Sequence, residues 1–340
     1  MENVNVYFNR CFTDTSKVIE EIVNNKDNIN YKIFISHPVE NERLEAVADY
    51  YEIEPVFEKS SDYAKYCISF CIEHNIDIFV PRYRVEELVL YKDDFLKNNI
   101  KVLFIGNNKI YDLLNNKGKV YEKYKNSSII KVPPFKVIST YNEFVEGYKY
   151  IKDNGFDVCI KPIVGIGAEG FKVIKENTNP LDELAFSGYK ISLEHLKYIL
   201  KSENNFPEML LSGVLPGNEL SVDCLACKGK LIDAVTRIKS SRFVQTVKID
   251  KTLNKQVEEI TKELKLDNLF NVQFKMKDNE IYLLEINTRM SAGIFKSCKI
   301  GINFLHKAIM KELDKEIQSE MDKVSDVNVI NVENTTVVRI

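Results

Sequence analysis

The chain has no surplus of basic charge, no long apolar run and no ordered cysteine pattern, and each absence removes a class of function. Lys and Arg number 47 against 50 Asp and Glu, for a formal net charge of -3. The basic residues are spread along the chain, which argues against a binder of nucleic-acid backbones. No stretch approaches the roughly 20 apolar residues of a membrane span, and the polar start MENVNVYFNR lacks the apolar segment of a signal peptide. The expectation is a cytoplasmic protein with neither nucleic acid nor a membrane as its partner. The seven cysteines are odd in number and scattered, which fits reduced thiols better than a disulfide framework. Cys224 and Cys227 form a C-x-x-C in ELSVDCLACKGK, but on a strand that spacing points them to opposite faces. His37, His74, His195 and His306 stand apart from the cysteines and give no zinc spacing. A glycine fingerprint is also missing after the first strand, where Asn9-Arg10-Cys11-Phe12-Thr13 follows, so a nicotinamide dinucleotide is not expected there.

What is present is an ordinary globular composition. The 340 residues, 44% hydrophobic and 29% charged, suffice for two or three compact units. Residues 1 to about 106 alternate strand and helix. Strands are expected at NVYFNR, YKIFISH, EPVFE, IDIFVPR and IKVLFIG. Helices fit DTSKVIEEIVNN, ENERLEAVADYY, SDYAKYCISFCIEHN and VEELVLYKDDFLKNN. Such alternation predicts an α/β amino-terminal domain with a parallel, doubly wound sheet. Ligands on such sheets bind at the carboxyl ends of strands, which here carry Asn9, Arg10, His37, Arg82 and Arg84. Of these, Asn9, Arg10 and Arg82 are candidates for holding an anionic substrate.

After a helix over NKIYDLLNNKGKVYEKYKNS and the Pro133-Pro134 punctuation, the pattern changes. From FDVCIKP onward most strands neighbour other strands, with one helix at LNKQVEEITKELK, which predicts an α+β region with largely antiparallel sheets. The tail DVNVINVENTTVVRI is a candidate terminal strand.

The most informative stretch is NVQFKMKDNEIYLLEINTRMSAG. Val272, Phe274 and Met276, then Tyr282, Leu284 and Ile286, alternate as two half-buried strands around a turn at Asp278-Asn279-Glu280. A three-residue turn places Gln273 across from Glu285 and Asn271 across from Asn287, roughly 5 Å apart at Cβ. One carboxylate and several amide oxygens then converge. Such hard donors in small number suit magnesium, which completes its shell with water and substrate phosphates. On pattern alone, the same residues also read as the solvated face of an amphipathic hairpin.

KPIVGIGAEGFKVI contains a G-x-G-x-x-G at Gly165, Gly167 and Gly170, followed by a strand and not by the helix that a dinucleotide site needs. Joining two antiparallel strands, it reads either as a flexible hairpin or as a phosphate cradle in which glycines let backbone N–H groups approach the oxygens. Lys161, just before it, would supply positive charge.

Taken in order, the lysine before a helix, the K-P glycine loop, LPGNELSVD and NVQF...LEINTRMS resemble the ATP-grasp superfamily, on the side of carbamoyl-phosphate synthase large chains and biotin carboxylase. The similarity covers about residues 110 to 310, and the start VYFNRCFTDT...ISHP also resembles ATP-grasp proteins of tellurite-resistance-type biosynthetic clusters. The resemblance implies a pre-ATP-grasp domain over 1-106, an ATP-grasp domain over 107-310 with a lid at about 132-212, and a tail over 311-340. It makes Gln273, Glu285 and Asn287 the magnesium ligands and sets Arg289 beside the transferred phosphoryl group. Lys117 and Lys161 would contact ATP phosphates under the lid formed by Gly165, Gly167 and Gly170. Glu219 would bind the ribose, and the backbone of Gly213, Val214 and Leu215 the adenine. The family often has glutamate where this chain has Gly213, and a flexible loop richer in glycine than VGIGAEG.

The implied activity is ATP-dependent ligation of a small-molecule carboxylate to an amine through an acyl phosphate, with ATP and magnesium, or manganese as its substitute. Arg289 and Arg237 are the candidate catalytic arginines, and Arg237 and Arg242 are candidate contacts to the substrate carboxylate. A homodimer is compatible with this reading. Two alternatives are a catalytically silent nucleotide-binding regulatory or scaffold protein and a phosphotransferase without ligation.

Overall fold

The computed structural model describes residues 2–25, 27, 29–165, 169–176, 178, 181, 188–239 and 244–330. The chain forms two compact units that interleave in sequence. The first comprises Met1–Tyr111, Leu220–Val272 and Asn287–Ile340, and the second Asp112–Glu219 and Gln273–Ile286. The first unit thus runs to Tyr111 and also takes up two later segments.

In the first unit, β1 (Glu2–Asn9), β2 (Ile29–His37), β3 (Tyr50–Ile53), β4 (Ile78–Val80) and β5 (Lys101–Val102) form a parallel sheet in the order β3-β2-β1-β4-β5. Alternation along β1 splits its side chains between two buried faces. Val4, Val6 and Phe8 belong to a core with Val18, Ile19 and Ile22 of the helix Thr15–Val23. Tyr7 faces the other way and stacks on Phe70 and Phe79 at 4.3 and 4.7 Å between ring centres.

Two expectations for this sheet need correction. EPVFE forms no strand, and the helix expected over ENERLEAVADYY stops at Glu45, so that Tyr50–Ile53 is the strand instead. Asp49 fixes that register: its carboxylate accepts from the Ile33 N–H at 2.7 Å while its own N–H donates to the Ile33 carbonyl at 2.8 Å.

The second unit contains β6 (Phe135–Ile138), β7 (Val158–Pro162), β8 (Lys172–Lys175), β9 (Lys190–Ser192) and β10 (Met209–Gly213), ordered β6-β10-β7-β8-β9. All pairs are antiparallel except β8 with β9. Two helices, Tyr141–Asp153 and Leu193–Lys201, bury Phe144, Ile151, Leu196 and Leu200 with Ile160 and Leu211 of the sheet. The first of them starts at a capping box, with Thr140 and Glu143 satisfying each other's backbone N–H groups.

A third sheet runs β15-β14-β11-β12-β13-β16, from β11 (Glu219–Cys227), β12 (Lys230–Lys239), β13 (Val244–Lys248), β14 (Asn268–Lys277), β15 (Glu280–Asn287) and β16 (Val327–Ile330). The tail strand thus exists over Val327–Ile330, and residues 331–340 lie outside the described residues. The turn between β14 and β15 has two residues rather than three: Asp278 and Asn279 both have positive φ, 49° and 65°, and Glu280 already belongs to the strand. That is the hairpin connection whose twist matches its strands. All seven cysteines are free.

Candidate functional site

In the second unit, Lys117 opens the helix Lys117–Tyr124, whose start is capped by Asn116 accepting from the Lys119 N–H at 2.9 Å. The Lys117 N–H donates to the Ile163 carbonyl at 2.9 Å, and its Nζ donates to the Gly165 carbonyl at 2.7 Å. The same Nζ lies 3.8 Å from Oε2 of Glu285 on β15. Lys161, on β7, is only 7% exposed, with Nζ 5.6 Å from the centre of the Tyr121 ring. Tyr121 is itself fixed by donating to the Leu284 carbonyl at 3.2 Å.

Burial lowers the Lys161 pKa below the usual lysine value. Cys159 and Glu285 oppose the shift, and the neighbouring Lys117 and Lys275 reinforce it. Two further ammonium groups thus stand near Lys161, with the Glu285 carboxylate among its neighbours. A buried cation in such company is costly, and an oxyanion of more than one charge would relieve it.

Gly170, at φ 65°, lies where a Cβ would meet the Pro162 ring at 2.8 Å, so the last glycine of the loop has a steric reason. Gly165 carries the carbonyl that Lys117 reaches, and Gly167 lies outside the described residues. Gly213 ends β10, its N–H donating to the Pro134 carbonyl at 2.9 Å, and the Val214 N–H donates to that of Asp157 at 2.7 Å. A Cβ on Gly213 would stand 2.5 Å from the Phe156 ring, which accounts for the missing glutamate. Leu215 is buried, and Glu219, Gln273 and Glu285 are half-buried. Among the described residues no three His, Cys, Asp or Glu side chains cluster as a metal site. The donor set on the hairpin, one carboxylate with amide oxygens, fits magnesium that takes its remaining ligands from phosphates and water.

In the first unit, Asn287 donates Nδ2–H to Oδ1 of Asn271 at 3.3 Å, so these two do meet across the strands. Asn271 in turn donates to Ser221, the Val222 carbonyl and Asp223. Asp223 is fully buried and also accepts from Ser291 at 2.7 Å, Ser297 at 2.6 Å and Arg237 Nε at 2.7 Å. Arg237 further donates to Ser221, Ser291 and Gln245. Each of its three nitrogens has a protein acceptor, so the structure places it as a brace for the loop after β15. Arg242 lies outside the described residues.

At the carboxyl end of the parallel sheet, Asn9 is buried and its amide is used internally. Oδ1 accepts from the Arg82 N–H at 2.6 Å, and Nδ2 donates to the Tyr63 hydroxyl at 2.8 Å and the Tyr83 carbonyl at 3.1 Å. Arg10, at φ 38°, is paired with buried Glu54 and lies over the Tyr83 ring at 4.5 Å. Arg82 is 4% exposed and donates Nη1–H to the Met290 carbonyl at 2.8 Å. Burial, then the neighbouring charge of Arg289, pulls the Arg82 pKa down to about 10.

A family model described as "ATP-grasp in the biosynthetic pathway with Ter operon" matches residues 205–336. The carbamoyl phosphate synthase large chain, C-terminal section, of Aquifex aeolicus is 23% identical over 57% of this chain and 36% of that protein. Among solved structures, the biotin carboxylase domain of Hydrogenobacter thermophilus 2-oxoglutarate carboxylase, in complex with MgADP, ADP and bicarbonate, shares the fold at TM-score 0.67. It is 16% identical and the alignment covers 96% of this chain and 72% of that one. In its later part the chain is similar to an ATP-grasp family, and it shares the fold of the biotin carboxylase domain. L-amino acid ligase from Bacillus licheniformis has the same ATP-grasp fold at TM-score 0.61 and 14% identity, over 94% of this chain and 76% of that one. The chain spans well under two thirds of the carbamoyl phosphate synthase relatives, 15% of one full-length large chain.

Sequence reasoning passed over three residues that the ATP-grasp geometry brings forward: Tyr121 under Lys161, Lys275 beside it, and Asp223. The last left a signal. In SVDCLA a carboxylate stands in a strand buried on both faces, where a charge has to find a partner.

Proposed function

We propose that this protein is an ATP-dependent carboxylate–amine ligase that works through an acyl phosphate. The observation that carries the reading is buried Lys161 with Lys117 and Lys275 near it and Glu285 among its neighbours, a positive excess suited to the phosphates of a nucleotide. Gln273, Glu285 and Asn287 would hold magnesium, with manganese as a substitute, and the metal would neutralise phosphate charge. Gly213, Val214 and Leu215 receive the adenine, Glu219 the ribose, and Lys117, Lys161 and the Gly165–Gly170 loop the phosphates.

A carboxylate oxygen of the substrate attacks the γ-phosphorus, and the bond to the β–γ bridging oxygen breaks, releasing ADP. The amine then attacks the acyl carbon, phosphate leaves, and the amine nitrogen loses a proton. No nucleophile from the chain is required, so its residues act by positioning and electrostatics. Arg289, permanently charged, faces the phosphoryl and acyl-phosphate oxygens, while Arg237 keeps the loop that follows β15 in place. The substrates are small molecules in the cytoplasm, and a homodimer is the working assembly. Neither nucleic acid nor membrane is a partner in this reading, and no helix among the described residues is long and apolar enough to cross a membrane.

The test is a screen of amino acids as acid and amine partners, followed by replacement of the amine with hydroxylamine. Ligation predicts ADP formation that depends on the acid, and a hydroxamate from the trapped acyl phosphate. A stable phosphorylated product without amide would establish a phosphotransferase instead. Tight ATP binding with no ADP under any pair would establish the silent alternative.

A further inference from the structure

β6 is the end strand of its sheet, paired with β10 alone among the described strands. Which of its backbone groups stay open follows from the ladder. The Gly213 N–H donates to the Pro134 carbonyl at 2.9 Å, and Leu211 and Met209 stand opposite Lys136 and Ile138. In an antiparallel pair, successive residues point their N–H and C=O groups alternately toward the partner strand and away from it. Lys136 and Ile138 therefore spend theirs on β10, and Phe135 and Val137 turn theirs outward. The far side of β10 agrees: the Val214 N–H donates to the Asp157 carbonyl at 2.7 Å, which sets Ser212 and Leu210 on the β7 ladder. The open edge is short, because just past the strand the Ser139 carbonyl already accepts from the Phe206 N–H at 2.9 Å.

This edge lines a groove of about 870 Å³ that lies entirely within the second unit. The helix Lys117–Tyr124 stands on one side and Tyr150 of the helix Tyr141–Asp153 on the other. Both helices pack closely on β6. A Cβ on Gly118 would stand 2.7 Å from Val137 Cγ2, and one on Gly147 would stand 3.2 Å from Lys136 Cβ. Phe135 is anchored edge-on against Tyr121, with 5.3 Å between ring centres.

The groove is basic. Lys119, Lys123, Lys125 and Lys136 line it against Glu122 and Glu208, and Glu122 is already paired with Lys125. Neither Lys119 nor Lys136 has an ion pair among the described residues, and Lys136 holds its Nζ 5.3 Å from the centre of the Tyr150 ring. Lys119 follows Lys117 by two residues, about 200° around the helix. One therefore reaches toward Gly165 and Glu285 while the other faces the groove.

Lysines on an open edge repel a second copy of the same edge, and by the same charge they attract an acidic one. A strand added to β6 would exchange main-chain hydrogen bonds with Phe135 and Val137, and its successive side chains would point to opposite walls. Lys119 stands on one wall and Lys136 on the other, so neighbouring residues of the guest meet a cation each. We infer that the β6 groove docks an extended acidic segment of a partner polypeptide by strand addition. The inference stands apart from the ligase reading and is tested without turnover.

The probe is a fluorescent, amidated heptapeptide, Thr-Glu-Glu-Val-Glu-Glu-Thr, titrated with the full chain and followed by anisotropy. Saturable binding is expected, weakened at least roughly tenfold by Lys119→Glu combined with Lys136→Glu, and by N-methylation of alternate peptide amides. Val137→Pro should have a similar effect, because it removes an outward N–H at an edge position that tolerates proline and leaves the β10 ladder intact. If Val137→Pro melts far below the parent, the methylated peptide alone decides the pairing. Binding that ignores methylation overturns strand addition. Absent binding, or equal binding of the same peptide with lysine for glutamate, overturns the site and leaves the lysines as edge protection. Full displacement by ATP would assign the peptide to the Lys117 and Lys161 cluster instead. Inorganic tripolyphosphate bound in a groove that ignores the peptide, and lost on the charge reversal, would overturn the inference in favour of a phosphate ligand.

Discussion

Arg237 donates Nε–H to Oδ2 of Asp223 at 2.7 Å, and the two side chains are only 9% and 0% exposed. The pair lies on neighbouring strands, with Ser221 directly opposite Arg237 and supplying one more acceptor. Breaking one side of such a pair leaves an unpaired charge in the interior. Asp223→Ala should therefore cost about 3–5 kcal/mol of stability. Replacing both, Asp223→Leu with Arg237→Met, should recover a large part of that loss. Chemical denaturation of the single and double variants checks the coupling, and additive losses would show that the pair is not what holds the strands.

Lys161 gives a pH dependence with a definite sign. Its pKa is lowered by burial from the ordinary 10.5, so the folded state releases this proton before the unfolded chain does. Stability contributed by this group therefore rises with pH between the lowered value and 10.5, and is smallest where the amine is fully charged in both states. Nucleotide affinity should move the opposite way across that window, because the neutral amine no longer attracts phosphate. Lys161→Met should flatten the stability slope, and Lys161→Arg should keep ATP affinity at alkaline pH. Calorimetry and denaturation across the alkaline range measure both.

The absent hinge glutamate yields a rescue experiment. Gly213→Ala should lose about 1–3 kcal/mol, because its Cβ would sit 2.5 Å from the Phe156 ring. Phe156→Leu, made in the same chain, should return part of that loss by making room. A Gly213→Ala variant as stable as the parent would show that the hinge relaxes freely.

Arg289 separates activation from binding. Arg289→Ala should lower kcat by roughly 10²-fold or more, with a much smaller change in ATP affinity. Parallel weakening of binding and turnover, with a lower melting temperature, would make it a structural arginine.

The strand–helix alternation before residue 106 was legible because apolar strands buried on both faces stand out between amphipathic helices. β3 was misplaced because the apolar spacing of LEAVADYY continues a helical period, whereas the contact that ends it, Asp49 with Ile33, joins residues sixteen apart. The hairpin was found from alternation alone. Its turn length was not, since Asp278-Asn279 lacks the glycine that usually marks two residues of positive φ. Lys117 with Glu285 and Asn287 with Asn271 are contacts within the residue set singled out from sequence. The pairing of Arg237 with Asp223 was not legible, because it becomes visible only once β11 and β12 are set in register.

β16 covers the outer side of β13 from Val244 opposite Ile330 to Val247 opposite Val327. That makes four residues near the end of the sequence responsible for closing a sheet edge. Trimming the chain before Val327 would bare the β13 backbone to any extended segment in solution, and the most abundant such segment is the same strand of another molecule. Shortened versions would then pair edge to edge or precipitate at concentrations the full chain tolerates, and an affinity handle attached at the other end of the chain would leave that cover undisturbed.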